Sequence, residues 1–490
     1  MKAKLHSFIL YLFIGLLSIS TLSQELIGDP INGEAEGDRL GRRRSIALSS
    51  NGNIVALGAY ENDANGPFSG HVRVFENIDN DWVQLGEDID GSEANIGLGF
   101  STSLSDDGTI LAVGAANSIV FPQGFARVYQ NNNGTWQQIG DDIFGEDTYG
   151  GFFGGDISLS SNGNILAVGD FMNNENGNNS GHVRVYENNG GTWVQIGDDI
   201  DGEAEEEKFG RSVSLSSNGA IVAVGATGLD SGLTRIFENN NGSWVQIGDD
   251  ILGEAQGDSS GFDVSLSSDG ITIAIGAPEN DGNGLNSGHV RVFEYINGAW
   301  EQIGNDIDGE ASVNFSGFAI SLSADGNVVA IGAYGNESSK GHVRIYQNNN
   351  DSWLQLGTDI DGENIGENLG RGVDLSDDGS TVACGVWSSD ANGTLSGQVR
   401  VYDLSAVLST NEFSLSGFKL YPNPTSNALY IEASNTLTSI EIYNLLGQQI
   451  LSSKPNTLTE EIDMSGFNSG MYLVKVTIGE QSETYKVLKQ

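Results

Sequence analysis

The chain has 490 residues, with 66 acidic against 22 basic side chains and a formal net charge of −44. This charge excludes nucleic acid as a partner, because a phosphate backbone requires a basic surface, and it disfavours anionic membranes for the same reason. A single cysteine, Cys384, excludes an internal disulfide. We therefore expect core burial alone to stabilise the fold, and we expect a monomer that its negative charge keeps in solution.

Residues 1–23 have the pattern of a secretory signal peptide. Lys2 and Lys4 precede an apolar run over residues 8–17, and small side chains then lead to a cleavage site before Gln24. The run is too short to span a bilayer, and no other segment approaches the roughly 20 apolar residues that a membrane helix needs. The sequence therefore predicts an exported protein without a transmembrane segment.

A repeated unit occupies most of the chain, from Leu26 to Asp403, in seven copies. Three markers recur in fixed phase: a tryptophan, an arginine nine residues before it, and an Asn-Gly or Asp-Gly turn. The seventh copy has the arginine but no tryptophan. The markers are Trp82, Trp136, Trp193, Trp244, Trp300 and Trp353; Arg73, Arg127, Arg184, Arg235, Arg291, Arg344 and Arg400; and turns beginning at Asn51, Asp107, Asn162, Asn218, Asp269, Asp325 and Asp378.

Each copy is predicted to form four short strands, A to D, because alternating apolar segments flank the turn between A and B. In the fourth copy, pairing of strands C and D is expected to place Phe237 opposite Trp244 and Arg235 opposite Gln246. An aspartate six residues after each tryptophan is expected to supply a counter-charge to an arginine of an adjacent blade. These residues are Asp88, Asp142, Asp199, Asp250, Asp306 and Asp359.

Four antiparallel strands repeated seven times, without a helical period, indicate an all-β fold, a seven-bladed β-propeller over residues 24–404. The first copy begins with only the tail of strand D, and the last copy stops after strand C. The N-terminal strand is therefore expected to complete the seventh blade and close the ring, which removes an exposed sheet edge. A solenoid is the alternative, but it would require capped ends.

The repeats resemble FG-GAP repeats, the units of the seven-bladed propeller in integrin α subunits. The segments LGRRRSIALSSNGNIVALGA, FGRSVSLSSNGAIVAVGA and SGFAISLSADGNVVAIGA carry the resemblance. Calcium-binding members of that family have a DxDxDG loop between strands A and B. Here the loops read SSNG, SDDG, SSDG or SADG, so the resemblance does not imply calcium at these hairpins.

The loops between strands B and C are the variable part of the repeat. They emerge at the same end of the ring as the D–A loops, so we expect function on this face. Rich in Asn, Asp and Gly, they are candidates for binding calcium weakly or a sugar, although they equally suit plain turns. The candidate positions are Asn62, Asp63, Asn65, Glu175, Asn280, Asp281, Asn283, Asp390 and Asn392.

Two further sets of side chains stand out: arginines that break the repeat pattern, and histidines that occupy one repeat position in four copies. Basic residues at the start of strand A are expected either to line the channel mouth and meet an anionic group or to neutralise nearby loop carboxylates; they are Arg42, Arg43, Arg44, Arg211 and Arg371. Histidines start strand C in four copies: His71, His182, His289 and His342. Because each lies in a different blade, they cannot share one metal ion, and we interpret them as structural.

The composition changes after residue 404. Residues 405–416 are predicted to be a linker, and residues 417–490 a small immunoglobulin-like β-sandwich. This segment resembles the type A C-terminal sorting domain of type IX secretion through KLYPNPTSNALYIE, IYNLLGQQI, MSGFNSGMYLVKV and YKVLKQ. The motif residues are Tyr421, Pro422, Asn423, Pro424, Gly447, Gly470 and Lys486, with both glycines expected in hairpin turns. An ordinary carbohydrate-binding sandwich is the alternative.

That resemblance implies passage through the outer membrane by the type IX secretion machinery, removal of the domain, and either release or attachment at the cell surface. For the propeller we predict a non-catalytic protein that binds an extracellular protein, glycan or cation and needs no cofactor. No nucleophile–base pair, metal-ligand cluster or nucleotide loop stands out from the repeats. The alternative is a glycan hydrolase or lyase that uses channel carboxylates.

Overall fold

The structure is a computed structural model that describes residues 24–116, 122–146, 150–408, 419–421, 425, 427–433, 435–444, 448–468, 470–478 and 481–489. Two compact units divide the chain, Met1–Val407 and Leu408–Gln490. The predicted signal peptide lies outside the described residues. In the part that is described, no helix combines the length and apolar character needed to cross a membrane.

Short antiparallel sheets make up the first unit, as the repeats predict. Two strands, β1 (Glu25–Leu26) and β2 (Ile31–Asn32), precede them. Sheet 1 comprises β3 (Ile46–Leu48), β4 (Ile54–Ala59), β5 (His71–Ile78), β6 (Asp81–Gln84) and β7 (Ile89–Asp90). Sheet 2 comprises β8 (Ser101–Leu104), β9 (Ile110–Ala115), β10 (Phe125–Asn131), β11 (Trp136–Gln138) and β12 (Ile143–Phe144). Sheet 3 comprises β13 (Asp156–Leu159), β14 (Ile165–Asp170), β15 (His182–Asn188), β16 (Trp193–Gln195) and β17 (Ile200–Asp201).

The same pattern continues through the second half of the unit. Sheet 4 comprises β18 (Phe209–Leu215), β19 (Ile221–Ala226), β20 (Leu233–Asn239), β21 (Trp244–Gln246) and β22 (Ile251–Leu252). Sheet 5 comprises β23 (Asp263–Leu266), β24 (Thr272–Ala277), β25 (His289–Ile296), β26 (Ala299–Gln302) and β27 (Ile307–Asp308). Sheet 6 comprises β28 (Ala319–Leu322), β29 (Val328–Ala333), β30 (His342–Asn348) and β31 (Trp353–Asp361), with the short helix α1 (Asn336–Ser339) before β30. Sheet 7 comprises β32 (Leu369–Leu375), β33 (Thr381–Val386) and β34 (Gln398–Asp403), together with β1 and β2, and helix α2 (Ser405–Leu408) follows it.

Backbone hydrogen bonds tie the sheets into a closed ring. At the end of each innermost strand, one N–H group donates to the carbonyl of the equivalent residue in the next sheet, over 2.8–2.9 Å. The seventh such bond returns to the first residue, so the cycle has no free end. Its members, in order, are Ser50, Asp106, Ser161, Ser217, Ser268, Ala324 and Asp377.

The N-terminal residues close this ring, which confirms the predicted closure. Strands β1 and β2 both pair antiparallel with β34, with Glu25 opposite Asp403 and Ile31 opposite Val399. They stand where a fourth strand stands in the other sheets. The last sheet is thus assembled from the two ends of the repeat region.

Each repeat tryptophan joins its sheet to the one before. In all six cases the indole Nε1–H donates to a backbone carbonyl at the outer strand of the preceding sheet, over 2.8–3.1 Å. Trp244, for example, donates to the carbonyl of Ile196 over 2.9 Å. The seventh junction has Gln24 in this place, and its amide donates to the carbonyl of Leu356 over 3.3 Å.

The predicted register between strands C and D is wrong by two residues. Phe237 lies opposite Gln246, and Asn239 lies opposite Trp244. The hairpin is tighter than expected because the Asn240 N–H donates to the Ser243 carbonyl and the Asn239 side chain accepts from the Gly242 N–H. Asparagine side chains that accept backbone bonds in this way favour short turns.

The glycine of the (F/L)G frame permits close approach of successive sheets. Gly210 has a φ of +85°, and a Cβ atom there would lie 2.4 Å from the carbonyl oxygen of His182 in the preceding sheet. A larger residue would therefore be strained and would push the sheets apart.

The second unit is a two-layer β-sandwich, as predicted. Its strands are β35 (Lys419–Tyr421), β36 (Ala428–Glu432), β37 (Leu437–Asn444), β38 (Gln449–Ser453), β39 (Thr459–Asp463), β40 (Gly470–Ile478) and β41 (Gln481–Lys489). One sheet has the order β35-β36-β39 and the other β38-β37-β40-β41. Leu429 and Ile431 from the first sheet pack with Ile440, Val474 and Val476 from the second in a single core.

Candidate functional site

The candidate residues of the B–C loops bond mainly to their own and neighbouring loops. The Asp63 and Asp281 carboxylates accept from backbone N–H groups five residues later, over 2.8 Å, and Asp390 does the same. The amide groups of Asn65, Asn283 and Asn392 donate to carbonyls of adjacent D–A loops, and those of Asn62 and Asn280 donate to aspartates there. Glu175 is exposed. These bonds are turn chemistry that fixes the loop conformations.

A cleft of about 700 Å³ lies at the seventh sheet. Residues 363–367 of one loop and 388–395 of the next line it, together with Gln398 and Arg400. The Arg400 guanidinium lies 3.3 Å from Glu363 and 3.7 Å from Glu367. Asp390 is the candidate loop residue that contributes to this cleft.

The five arginines predicted at the channel mouth divide into two groups. Arg43 and Arg44 enter the channel and neutralise carboxylates of distant sheets: Arg43 lies 3.3 Å from Asp263 and Arg44 3.2 Å from Asp156. Both also donate to the carbonyl of Phe262. Burial raises the pKa of both aspartates, and the arginine charges act against that rise. Sheet 1 is thereby linked across the channel to sheets 3 and 5.

The other three arginines, Arg42, Arg211 and Arg371, have no carboxylate within 4 Å among the described residues. They are half-buried at the start of strand A and stack on aromatic rings instead. Ring centroids lie 4.0–5.2 Å from the guanidinium carbons. The Arg42 rings are Tyr60 and Phe100; the Arg211 rings are Phe171 and Phe262; the Arg371 rings are Phe318, Tyr334 and Trp387. We call these ten residues the arginine–aromatic rim.

The rim surrounds the channel at the end where the B–C loops emerge. Its residues occupy two positions of the repeat, the one after the frame glycine and the one directly after strand B. Ring contacts connect the three arginine groups. Phe262 of the Arg211 group lies 4.9 Å from Phe318 of the Arg371 group, between ring centroids. Phe152 lies 5.1 Å from Phe100 and 4.7 Å from Phe171, and so connects the Arg42 and Arg211 groups. The rim is therefore a nearly continuous apolar surface interrupted by three cations.

Unsatisfied donors mark the rim as an unusual environment. Within the described part of the chain, Arg42 Nη1, Arg371 Nε and Trp387 Nε1 are buried without a hydrogen-bond acceptor. Burial and, to a smaller extent, the charges of nearby arginines lower the pKa of Arg42 to about 10 and that of Arg211 to about 9. A protein with a large excess of carboxylates thus leaves three guanidinium groups without a counter-ion at this place.

Six of the seven strand C arginines are buried, and Arg127 is half-buried. In three sheets the repeat aspartate that pairs with the arginine comes from the same sheet, while glutamates after the preceding sheet pair with Arg184 and Arg235 as well. Arg127, Arg184 and Arg235 lie 2.7–3.0 Å from Asp142, Asp199 and Asp250, so the predicted pairing with an adjacent blade is wrong. The facing glutamines donate to these same aspartates, for example Gln246 to Asp250 over 2.8 Å. The aspartates accept both bonds because the fifth strand folds back along strand C.

The four histidines are buried at the first residue of strand C. His71, His289 and His342 face carboxylates of two successive sheets, whereas His182 lies near Glu175, Asp199 and Asp201 of its own sheet. His71 Nδ1 lies 3.7 Å from Glu34 and 3.9 Å from Asp88, and His342 Nδ1 lies 3.4 Å from Asp359. Burial lowers the pKa of His71 and of His342 to about 4, so both imidazoles are neutral at pH 7. Four separate clusters of histidine and acidic residues result, one at each histidine.

The sorting-motif residues are only partly described. Tyr421 ends β35 and stacks on Tyr430. Gly470 is the first residue of β40, opposite Lys489, and not a hairpin-turn residue. Lys486 lies in β41 opposite Leu473. Pro422, Asn423, Pro424 and Gly447 lie outside the described residues.

Sequence reasoning found the rim arginines and missed the aromatic residues beside them. Phe100, Phe262 and Phe318 stand at the same repeat position as Arg42, Arg211 and Arg371. Alignment of the seven copies at the frame glycine would have revealed a position with arginine in three copies, phenylalanine in three and glycine in one.

Comparison with known families identifies two parts of the chain. Residues 419–490 match the secretion system C-terminal sorting domain, and residues 253–293 match the FG-GAP repeat. The chain therefore carries an FG-GAP propeller and a sorting domain, which directs the protein out of the cell, to its surface or to the medium. No curated protein matches the sequence.

Solved structures with a similar fold include two proteins named as lactonases. A Bacteroides uniformis protein assigned as a 6-phosphogluconolactonase is 14% identical, with a TM-score of 0.47 over 65% of this chain and 86% of its own. A periplasmic gluconolactonase of Pseudomonas aeruginosa is 16% identical, with a TM-score of 0.46 over 66% of this chain and 85% of its own.

Proposed function

We propose that this protein is an exported, non-catalytic β-propeller that binds an anionic glycan on its B–C loop face, at the arginine–aromatic rim. The observation that carries the proposal is the set of three guanidinium groups without carboxylate partners. Guanidinium groups bind carboxylates and sulfates with two parallel hydrogen bonds. The intervening aromatic rings offer flat apolar surfaces on which the faces of sugar rings can stack.

Binding is favoured over hydrolysis by the state of the channel carboxylates. Asp156 and Asp263 are buried and held by Arg43 and Arg44. A glycosidase requires two accessible carboxyl groups, one to protonate the leaving oxygen and one to attack or to activate water. Two carboxylates that are already ion-paired below the rim are poorly suited to that chemistry.

The test is calorimetric titration of the mature chain with a trigalacturonate and with its methyl ester, which removes the charge. We expect the acid to bind and the ester to bind at least tenfold more weakly. Arg371→Gln and Arg211→Gln should each weaken acid binding by about 10-fold to 100-fold, since a hydrogen bond to a charged group contributes about 1.5–3 kcal/mol.

Lys340→Gln is the matched control. Lys340 is a cation in the B–C loop of sheet 6 that pairs with Glu337, away from the rim. Its loss should leave the affinity unchanged. Equal binding of acid and ester, or no effect of the rim variants, would contradict the proposal. Chromatography of the same mixtures, with and without calcium, tests whether the protein cleaves the glycan. Release of shorter products would favour the hydrolase or lyase alternative.

A further inference from the structure

The histidine junctions contain buried imidazole nitrogens that nothing in the described structure satisfies. Both ring nitrogens of His71, of His182 and of His342 are buried without a hydrogen-bond partner, and so is Nε2 of His289. Their side chains are at most 1% exposed. A buried polar atom without a hydrogen-bond partner destabilises the folded state. Unpaired imidazole nitrogens at the same position of several sheets therefore require an explanation.

The imidazoles of His71, His289 and His342 are each directed at two carboxylates from successive sheets. His71 Nδ1 faces Glu34 and Asp88 at 3.7 and 3.9 Å, and the equivalent distances at His342 are 3.9 Å to Glu310 and 3.4 Å to Asp359. At His289 the distances to Glu254 and Asp306 are both 4.0 Å. Most of these separations are too long for hydrogen bonds.

The same separations are close to those between ligands of a single metal ion. In a tetrahedral zinc site with bonds of about 2.0–2.1 Å, neighbouring ligand atoms lie roughly 3.3–3.4 Å apart. A contraction of a few tenths of an ångström would suffice. The glutamates can supply it, because the side chains of Glu34, Glu254 and Glu310 are 40–47% exposed.

Hydrogen bonds to neighbouring groups orient the aspartates toward the histidines, and the strand C arginines of these sheets bond mainly to backbone carbonyls. The outer oxygens of Asp88, Asp306 and Asp359 accept from the glutamine amides of the same sheets over 2.6–2.7 Å. Their inner oxygens face the histidines. The nearby arginines donate to backbone carbonyls instead: Arg73 to Asn32, Arg291 to Leu252 and Arg344 to Asp308, over 2.6–2.7 Å. Arg73 and Arg344 also lie 3.5 and 3.9 Å from Glu34 and Glu310. His71 further faces Asp90 at 4.0 Å.

Sheets without such a histidine use the same aspartate differently. In sheets 2 and 4 the position holds Phe125 and Leu233, and there the aspartate binds the strand C arginine directly. Sheet 3 differs in two ways: the carboxylates near His182, from Glu175, Asp199 and Asp201, all belong to its own sheet, and Arg184 already takes both oxygens of Asp199. The free arrangement of histidine and two carboxylates therefore occurs at His71, His289 and His342.

We propose that these three junctions are binding sites for a divalent transition-metal ion, with zinc the best fit, each formed by one imidazole and carboxylates from two successive sheets. Imidazole nitrogen suits zinc and related ions, whereas calcium takes oxygen ligands. Each ion would join one sheet to the next and so add to the stability of the ring. The proposal is independent of anion binding at the rim.

The experiment is equilibrium dialysis of the chelator-treated mature chain against Zn²⁺, with bound metal measured by elemental analysis. We expect about three ions per chain, and about two for His342→Gln. Glutamine is tolerated here, because Gln398 occupies this position in sheet 7. Glu310→Gln removes a half-exposed ligand with little risk to folding and should also lose one ion.

His182→Gln is the matched control, and it should leave the zinc stoichiometry unchanged. Calcium in excess should not displace the bound zinc, and zinc should raise the melting temperature of the wild-type chain more than that of His342→Gln. The proposal is overturned if zinc does not bind, if His342→Gln and Glu310→Gln retain the full stoichiometry, or if His182→Gln loses as much as they do.

Discussion

At the scale of single residues, Asp374 departs from the repeat in a way that has a measurable cost. Five sheets place a serine at its position, and each serine hydroxyl accepts a backbone N–H from the next sheet: Ser103, Ser158, Ser214, Ser265 and Ser321. Asp374 accepts the equivalent bond from Leu48 over 2.7 Å. Asp374 is half-buried, and desolvation raises the pKa of its carboxyl to about 6.

This raised pKa makes the stability of the propeller depend on pH. Between the unfolded pKa of 3.8 and the folded pKa of about 6, the native state binds the proton more tightly, so stability falls as pH rises through this window. The loss above pH 6 is about 3 kcal/mol, from a difference of about two pH units. Asp374→Ser keeps an acceptor for Leu48 and should raise the melting temperature at pH 8.

The pH dependence of the gain in melting temperature shows whether it comes from loss of the carboxylate charge or from a change in packing. At pH 4.5, where Asp374 is protonated in the folded state, the variant should have no advantage. Thermal unfolding of both chains at the two pH values measures the difference. A gain of equal size at both values would mean that the carboxyl charge is not responsible. Ser265→Ala, which removes a neutral acceptor of the same ring, should be destabilising at both.

Residue-level chemistry was only partly predictable from the sequence. The rim arginines were visible because they break the repeat, and one of two stated roles, neutralisation of carboxylates, fits Arg43 and Arg44. The environment of Arg42, Arg211 and Arg371 depends on aromatic residues of their own and directly neighbouring sheets. The clustering of histidines with glutamates depends on contacts between successive sheets, which spacing within one copy does not specify.

At the scale of elements, the tryptophan of each repeat acts as a hydrogen-bonded link to the preceding sheet, and the closing seam lacks one. Gln24 occupies the position of the tryptophan in this seam. Gly357 lies beside it, as a glycine lies beside the indole in each of the other junctions. A Cβ atom at Gly357 would meet the Gln24 amide at 2.7 Å. The buried Val407 side chain lies 2.9 Å from the same position, so Gln24 and Val407 stand where the other junctions hold the indole.

Gln24→Trp restores the indole of the other junctions, with Val407 displaced from Gly357, and should strengthen the seam. We expect an increase of about 0.5–1.5 kcal/mol in unfolding free energy, the size of one net hydrogen bond, with some further apolar burial. Thermal unfolding of a chain that begins directly at residue 24 measures it. Trp244→Phe is the reciprocal variant and should destabilise by a similar amount. If both variants unfold at the wild-type temperature, the indole bond contributes nothing to the junction.

Strand type and order were predictable because the alternation of apolar residues and the Asn-Gly turns are local signals. The register of strands C and D was not, because it depends on how Asn239 and Asn240 bond within the turn. The short fifth strands, such as β7 and β12, were missed because two residues give no periodicity. Closure by the first residues was correctly predicted from the complementary ends of the repeat region.

At the scale of the whole molecule, the sorting domain and the propeller have separate tasks. The domain at residues 419–490 has its own core and its own two sheets, so its loss should leave the propeller folded. A chain that ends at Leu415 should accumulate in the periplasm, with the melting behaviour of the propeller unchanged. Fractionation of cells that express both forms measures this. Appearance of the shortened chain in the medium at the wild-type level would contradict an export role for the domain.

The position of β34 has a mechanical consequence. This strand lies between β33 on one side and β1 and β2 on the other, and the chain leaves it toward the C-terminus. When the protein is tethered through that end, a pulling force acts along the strand, at right angles to its hydrogen bonds. All of these bonds then share the load and must shear together, whereas a peripheral strand pulled from its edge would unzip one bond at a time. The N-terminal strands that close the ring would thus also resist its opening when the C-terminal end is pulled.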